Sequence, residues 1–111
     1  MEKLAKFQTV IKEVLGHYVG LLQKYTKHEV YLVEDPIQLH YLIYQNLWQD
    51  SSRSYGCLVH VRIKNEKIYI EYDGTDEGFG DVFVEHGIAK QDIVLAFHAP
   101  LKRPYTGFGV A

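Results

Sequence analysis

Six histidines, a lone cysteine and the carboxylates of Asp73, Asp76 and Glu77 are the side chains here best suited to hold a metal ion or move a proton. His17, His28, His40, His60, His86 and His98 include no pair four residues apart and no H-E-x-x-H, the spacing that puts two imidazoles on one helix face. Cys57 and His60 are the nearest soft pair. Three residues apart on a regular strand they would point to opposite faces and could not share an ion. Asp73, Asp76 and Glu77, interleaved with Gly74 and Gly78, lack the oxygen spacing of an EF-hand loop. Turn formation and negative charge at a helix start account for them, with a carboxylate site for a metal-dependent nuclease as the competing reading. Glu66 and Lys67 fall in a hairpin turn, and Ser51, Ser52 and Ser54 share one loop with no histidine beside them. The sequence thus points to no catalytic residue, no metal and no cofactor.

Two further groups bear on contacts rather than catalysis. Lys102, Arg103, Tyr105 and Phe108 interleave base and aromatic in the tail, a composition suited to stacking on bases and meeting phosphates. The same residues suit a tail laid against the protein's own core with Tyr105 and Phe108 as anchors. Gly16 and Gly20 lie one turn apart on a helical stretch and make a flat spot. Either the chain's own sheet packs tightly there or a helix of a second copy does.

The elements that must position these residues follow from hydrophobic period. Leu4, Phe7, Ile11, Val14, Tyr18, Leu21 and Tyr25 recur at steps of three and four, predicting a long amphipathic helix. Val10, Leu15, Val19 and Leu22 widen its stripe. That breadth predicts a helix covering a sheet, with self-association as a further expectation. The period then becomes strand-like over His28–Asp35, Ile37–Trp48, Tyr55–Lys64 and Lys67–Asp73, with Pro36, the polar stretch 49–54 and Asn65-Glu66 as breaks. Phe79, Val82, Phe83 and His86 return to helical spacing, with Thr75 or Asp76 as candidate caps and Gly87 as the stop. The run Ile93–Phe97 is too short for its period to separate strand from helical turn, and the segment after it reads as ordered loop.

At 111 residues the chain has the size of one domain, 1–111. Its apolar fraction of 47% with 23% charged residues is that of a folded protein. One cysteine excludes an intrachain disulfide and fits a reducing cytoplasm. No run approaches the roughly 20 apolar residues of a membrane helix. The net charge of −2 argues against the field of a stand-alone nucleic-acid binder. Segment by segment it divides into a +3 N-terminal stretch, residues 1–27, a −6 stretch, 66–92, and a +2 tail, 93–111. Such a chain suits charged protein partners, or copies of itself, and restricts DNA contact to its two ends.

Tyr55-Gly56-Cys57, His60, Lys67-Ile68, Asp73-Gly74-Thr75, Gly87, Asp92–His98, Pro100, Arg103 and Thr106-Gly107-Phe108 form an ordered series that resembles the XisI-like family. Members of that family are controlling factors for excision of the fdxN element in cyanobacteria. Asn46 before Leu47-Trp48, where the family has a glycine before the tryptophan, and Ala89, where it has a proline, depart from the pattern. The resemblance implies an accessory role in DNA rearrangement during heterocyst differentiation, with a separate recombinase cutting the DNA and an XisH-like protein as companion. It carries over no catalytic residue. The expectation is one α+β domain: a long N-terminal helix on an antiparallel sheet of about four strands, then a short helix and an ordered tail. Its function is non-enzymatic, with a DNA-binding directionality factor or a nuclease subunit as the alternatives.

Overall fold

The computed structural model describes residues 2–26 and 29–111. Helix α1, Glu2–Tyr25, buries Phe7, Val10, Ile11, Val14, Leu15 and Val19. Each such side chain contributes about 1.5–3 kcal/mol when fully removed from water. The buried face departs from the strict seam at its C-terminal end, where Leu21 and Tyr25 are exposed and Val19 and Leu22 turn inward. A straight helix turns every 3.6 residues, so a seam spaced at 3.5 drifts by about 20° per heptad. The breadth of the stripe has a local cause too: α1 meets the sheet along one flank and a second helix along the other, where the Tyr18 and Phe79 rings make an edge contact at 5.5 Å. A second copy is not needed to explain it.

The sheet has five strands in the order β1 to β5: β1 Glu29–Asp35, β2 His40–Gln49, β3 Ser52–Lys64, β4 Lys67–Asp73 and β5 Ile93–Leu95. The first four form the expected antiparallel meander, and β5 adds a fifth strand, parallel to β4. Ile68 and Ile70 pair with Ile93 and Leu95, which identifies the short apolar run as a strand. The expected start of the first strand at His28 lies outside the described residues. Two other boundaries differ from expectation. Residues 36–39 are a turn, because the Asp35 carboxylate accepts the N–H groups of Ile37 and Gln38, and Leu39 is left-handed at φ 63°. The polar stretch 49–54 is mostly strand: only Asp50 and Ser51 turn the chain, with Asp50 at φ 58°, and Gln49 already pairs with Ser52. At the next hairpin Asn65 and Glu66 both have positive φ, as a two-residue hairpin turn demands.

Helix α2, Phe79–Glu85, seats Phe79 and Phe83 in the core. Gly78, left-handed at φ 67°, occupies its cap position, and neither Thr75 nor Asp76 caps it. Asp73 does that work from six residues away, accepting the Phe79 N–H at 3.2 Å. Gly87 at φ 92° stops the helix, and the Lys6 ammonium donates to its carbonyl at 2.7 Å, tying α1 to the end of α2. The last segment holds a 3-10 turn at Pro100–Tyr105 and ends beside β5, where Gly109 bridges to Val94. An added Cβ at Gly109 would stand 2.6 Å from the Gln91 carbonyl oxygen, so only glycine fits there.

Candidate functional site

Every carboxylate of the acidic turn can be traced to a structural task or to solvent. Asp73 Oδ1 accepts from the Thr75 N–H at 2.9 Å and the Thr75 hydroxyl at 2.6 Å, while Oδ2 takes the Phe79 N–H. Asp76 and Glu77 are exposed. Their charge is felt by Tyr18, whose phenol is pushed above its ordinary value first by burial and then by Glu77, Asp73 and Asp76. Among the described residues no three His, Cys, Asp or Glu side chains gather as metal ligands would.

The tail separates its four candidate contact residues. The Arg103 guanidinium is directed at its own chain, donating through Nε to the His98 carbonyl at 3.0 Å and through Nη2 to the Ala96 carbonyl at 3.2 Å. Phe108 packs on the core beside Gly80, and the Lys90 ammonium sits 5.3 Å from its ring centroid. Lys102 and Tyr105 face solvent, so Tyr105, 88% exposed, is no anchor. Gly16 and Gly20 are also separate from this surface. Added Cβ atoms at both would meet nothing within 4 Å, so tight packing on the protein's own sheet is not why they are glycine.

What the structure does bring together lies on the face of the sheet away from α1. Strand register decides which side chains share it. Tyr41 and Ile43 of β2 and Val59, Val61 and Ile63 of β3 turn inward and are buried. Ile43 pairs with Val59 but Tyr44 pairs with Cys57, so Leu58 is an extra residue in the ladder, a β-bulge. The bulge reverses the expected phase of β3. Cys57 pairs opposite Tyr44 and His60 opposite Leu42, two residues apart on β2, so Cys57 and His60 share the outer face instead of opposing ones. Tyr55 likewise moves to the outer side.

Outer-face side chains then interlock across three strands. The Arg53 guanidinium lies 4.4 Å from the Tyr55 ring centroid and 5.6 Å from that of Trp48. Its Nε donates to Asn46 Oδ1 at 2.7 Å, and Asn46 Nδ2 reaches the Glu29 carboxylate at 3.4 Å. Tyr44 contacts Tyr55 edge-on at 6.1 Å. Farther along the same face His40 Nδ1 and His60 Nε2 are 2.9 Å apart, and Arg62 pairs with Glu71 at 3.1 Å. Burial, then the neighbouring His40, lowers the His60 pKa below its ordinary value, with Glu71 opposing and Arg62 adding to the depression. Burial raises the Cys57 thiol above its usual range. Trp48, Tyr55 and Tyr72 remain 60%, 58% and 50% exposed.

Aromatics plus arginine on an open surface are a composition enriched at protein interfaces. Strict alternation set Cys57 and His60 on opposite faces and hid this cluster. Gly56 inside a strand is the signal that could have exposed it, since an isolated strand glycine often marks a bulge.

The family described as XisI protein matches residues 1–110. Two solved structures from Anabaena variabilis share the fold over nearly their whole length. A XisI-like protein is 35% identical, with TM-score 0.88 over 97% of this chain and 99% of its own. An fdxN element excision controlling factor XisI is 31% identical, with TM-score 0.84 over 98% of this chain and 99% of its own. No curated protein matches the chain significantly.

Proposed function

The chain belongs to the XisI protein family, and from that premise we propose that it is a non-enzymatic accessory factor in excision of a DNA element of the fdxN type. The observation that carries this reading is the near end-to-end match to a structure named as an excision controlling factor. Two features of the chain support the non-enzymatic part. The Asp73 carboxylate is occupied by its own turn and by the start of α2. The most chemically dense surface, Arg53 with Trp48, Tyr55 and Asn46, is built for contact and holds no nucleophile beside a base.

In this reading the factor acts on a recombination apparatus through protein partners, an XisH-like companion first among them. Its setting is DNA rearrangement during heterocyst differentiation in a cyanobacterium. Co-expression with an XisH-like protein and purification on a tag carried by one partner tests it. Co-elution at a fixed stoichiometry is the expected result. Separation of the two at both low and high salt would overturn the direct-partner assignment. DNA nicking by the purified chain, abolished when Asp73, Asp76 and Glu77 are all replaced by alanine, would overturn the non-enzymatic one.

A further inference from the structure

Strand β3 outruns its neighbour. It pairs with β2 over Ser52–Arg62, whereas β4 covers only Val59–Lys64. On the other side, among the described residues, β1 reaches no farther along β2 than Asn46. Among the described residues, 47–54 therefore leave the body of the sheet as a two-stranded ribbon, and nothing pairs with 52–57 on the side away from β2. In a strand, alternate residues turn their N–H and C=O groups outward, so this edge is an open template for another strand. The usual protections are weak: no proline and no lysine lie in 52–57, and Arg53 is the one charge. A lone two-stranded ribbon is marginal in water, and this one exposes Trp48, with Tyr55 exposed at its root.

We propose that the free edge of β3 pairs with the same edge of a second copy, antiparallel about a two-fold axis, joining two sheets into one. Charge selects this occupant. A nucleic-acid strand needs several cations against its phosphates. The ribbon offers only Arg53, which is already stacked on two rings and bonded to Asn46. Asp50 and Arg53 leave residues 47–57 neutral, so two ribbons meet without net repulsion. Pairing centred on Tyr55 sets Tyr55 against its twin, Arg53 against Cys57 and Ser54 against Gly56. No like charges face one another, aromatic residues meet across strands, and Gly56 has open space within 4 Å. The contact is isologous, so it closes at a dimer. It goes beyond the accessory-factor reading and does not depend on it.

Sedimentation of the full-length chain over a range of concentrations is expected to show a dimer. Tyr55→Lys, which opposes two ammonium groups across the axis, is expected to give a monomer with an unchanged circular dichroism spectrum and a melting temperature that no longer rises with protein concentration. A second measurement reads the geometry directly. Opposed residues of an antiparallel pair have Cα atoms about 4.5–5.5 Å apart, within reach of a disulfide. Tyr55→Cys in a Cys57→Ser background should therefore give a covalent dimer on mild oxidation, while Glu85→Cys in that background should not. A wild-type monomer at every concentration would overturn the proposal, including one that pairs through this edge only with a different protein or with DNA. A dimer that survives Tyr55→Lys and gives no cross-link through residue 55 would overturn it equally. Both assays omit any other protein, so their failure leaves the accessory-factor reading standing.

Discussion

His60, beside His40, accepts a proton less readily than a free imidazole would. Their ring nitrogens are 2.9 Å apart, so one must carry the proton and donate while the other accepts. Protonating both would set two N–H groups head to head. Burial, His40 and Arg62 lower the His60 pKa, so between the folded value and the ordinary value near 6.5 the unfolded chain binds more protons than the folded one. The contribution of His60 to stability is therefore complete above about pH 6.5 and declines as pH falls toward the folded value. The melting temperature should drop as pH falls below about 6.5, and His60→Asn should flatten that slope relative to wild type. An equal slope in the variant would contradict the assignment, and NMR titration should find the His60 ring moving below the ordinary histidine value. Neither this pair nor the Arg53 cluster was legible from spacing. His40 and His60 are twenty residues apart, and Arg53 meets Trp48 and Asn46 only once the hairpin register is known. The Leu58 bulge then shifts that register by one residue, which reverses every expectation upstream of it on β3.

At the level of elements, the sequence patterns that repeat often enough were readable and the brief ones were not. The long helix and the meander declare themselves through many turns of period, and the Asn65-Glu66 and Gly87 punctuation falls where expected. Strand β5 is three residues long and borrows its conformation from Ile68 and Ile70 beside it, so no local pattern could define it. The Ser52–Ser54 start of β3 has polar side chains because its surface is open, which makes a strand read as a loop. Glycines separate the two kinds of position cleanly. Gly16→Ala and Gly20→Ala enter open space on an exposed helix face and should each stabilise by up to about 1 kcal/mol. Gly109→Ala would drive a methyl into the Gln91 carbonyl and break the Gly109 N–H bonds to Lys90 and Ile93, costing about 2–3 kcal/mol. Thermal melts of the three variants check both signs. A loss of stability at Gly16 or Gly20 would mean that a helix of another chain already occupies that flat spot.

Over the whole molecule, the charged segments of the chain meet in space. Lys3 bridges to Asp92 at 3.2 Å, Lys12 approaches Glu34 at 3.9 Å, and Lys6 is bound at the end of α2. The basic helix thus spends part of its charge on acidic neighbours, and Arg103 spends its own on the tail. Exposed pairs of this kind are worth little to stability, about 0–1 kcal/mol each, yet they weaken the field any polyanion would meet. Binding to random-sequence duplex DNA at about 0.15 M salt should accordingly not saturate below roughly 100 µM, the weak end of ordinary non-specific affinity. Micromolar binding with a steep salt dependence in a titration would contradict this. The ribbon formed by β2 and β3 has one more consequence. It carries the only tryptophan in the chain, and that indole is 60% exposed. The protein's indole fluorescence therefore reports on the ribbon and not on the core. Its colour and its access to a dissolved quencher signal, without any label, whether that arm is bare or covered.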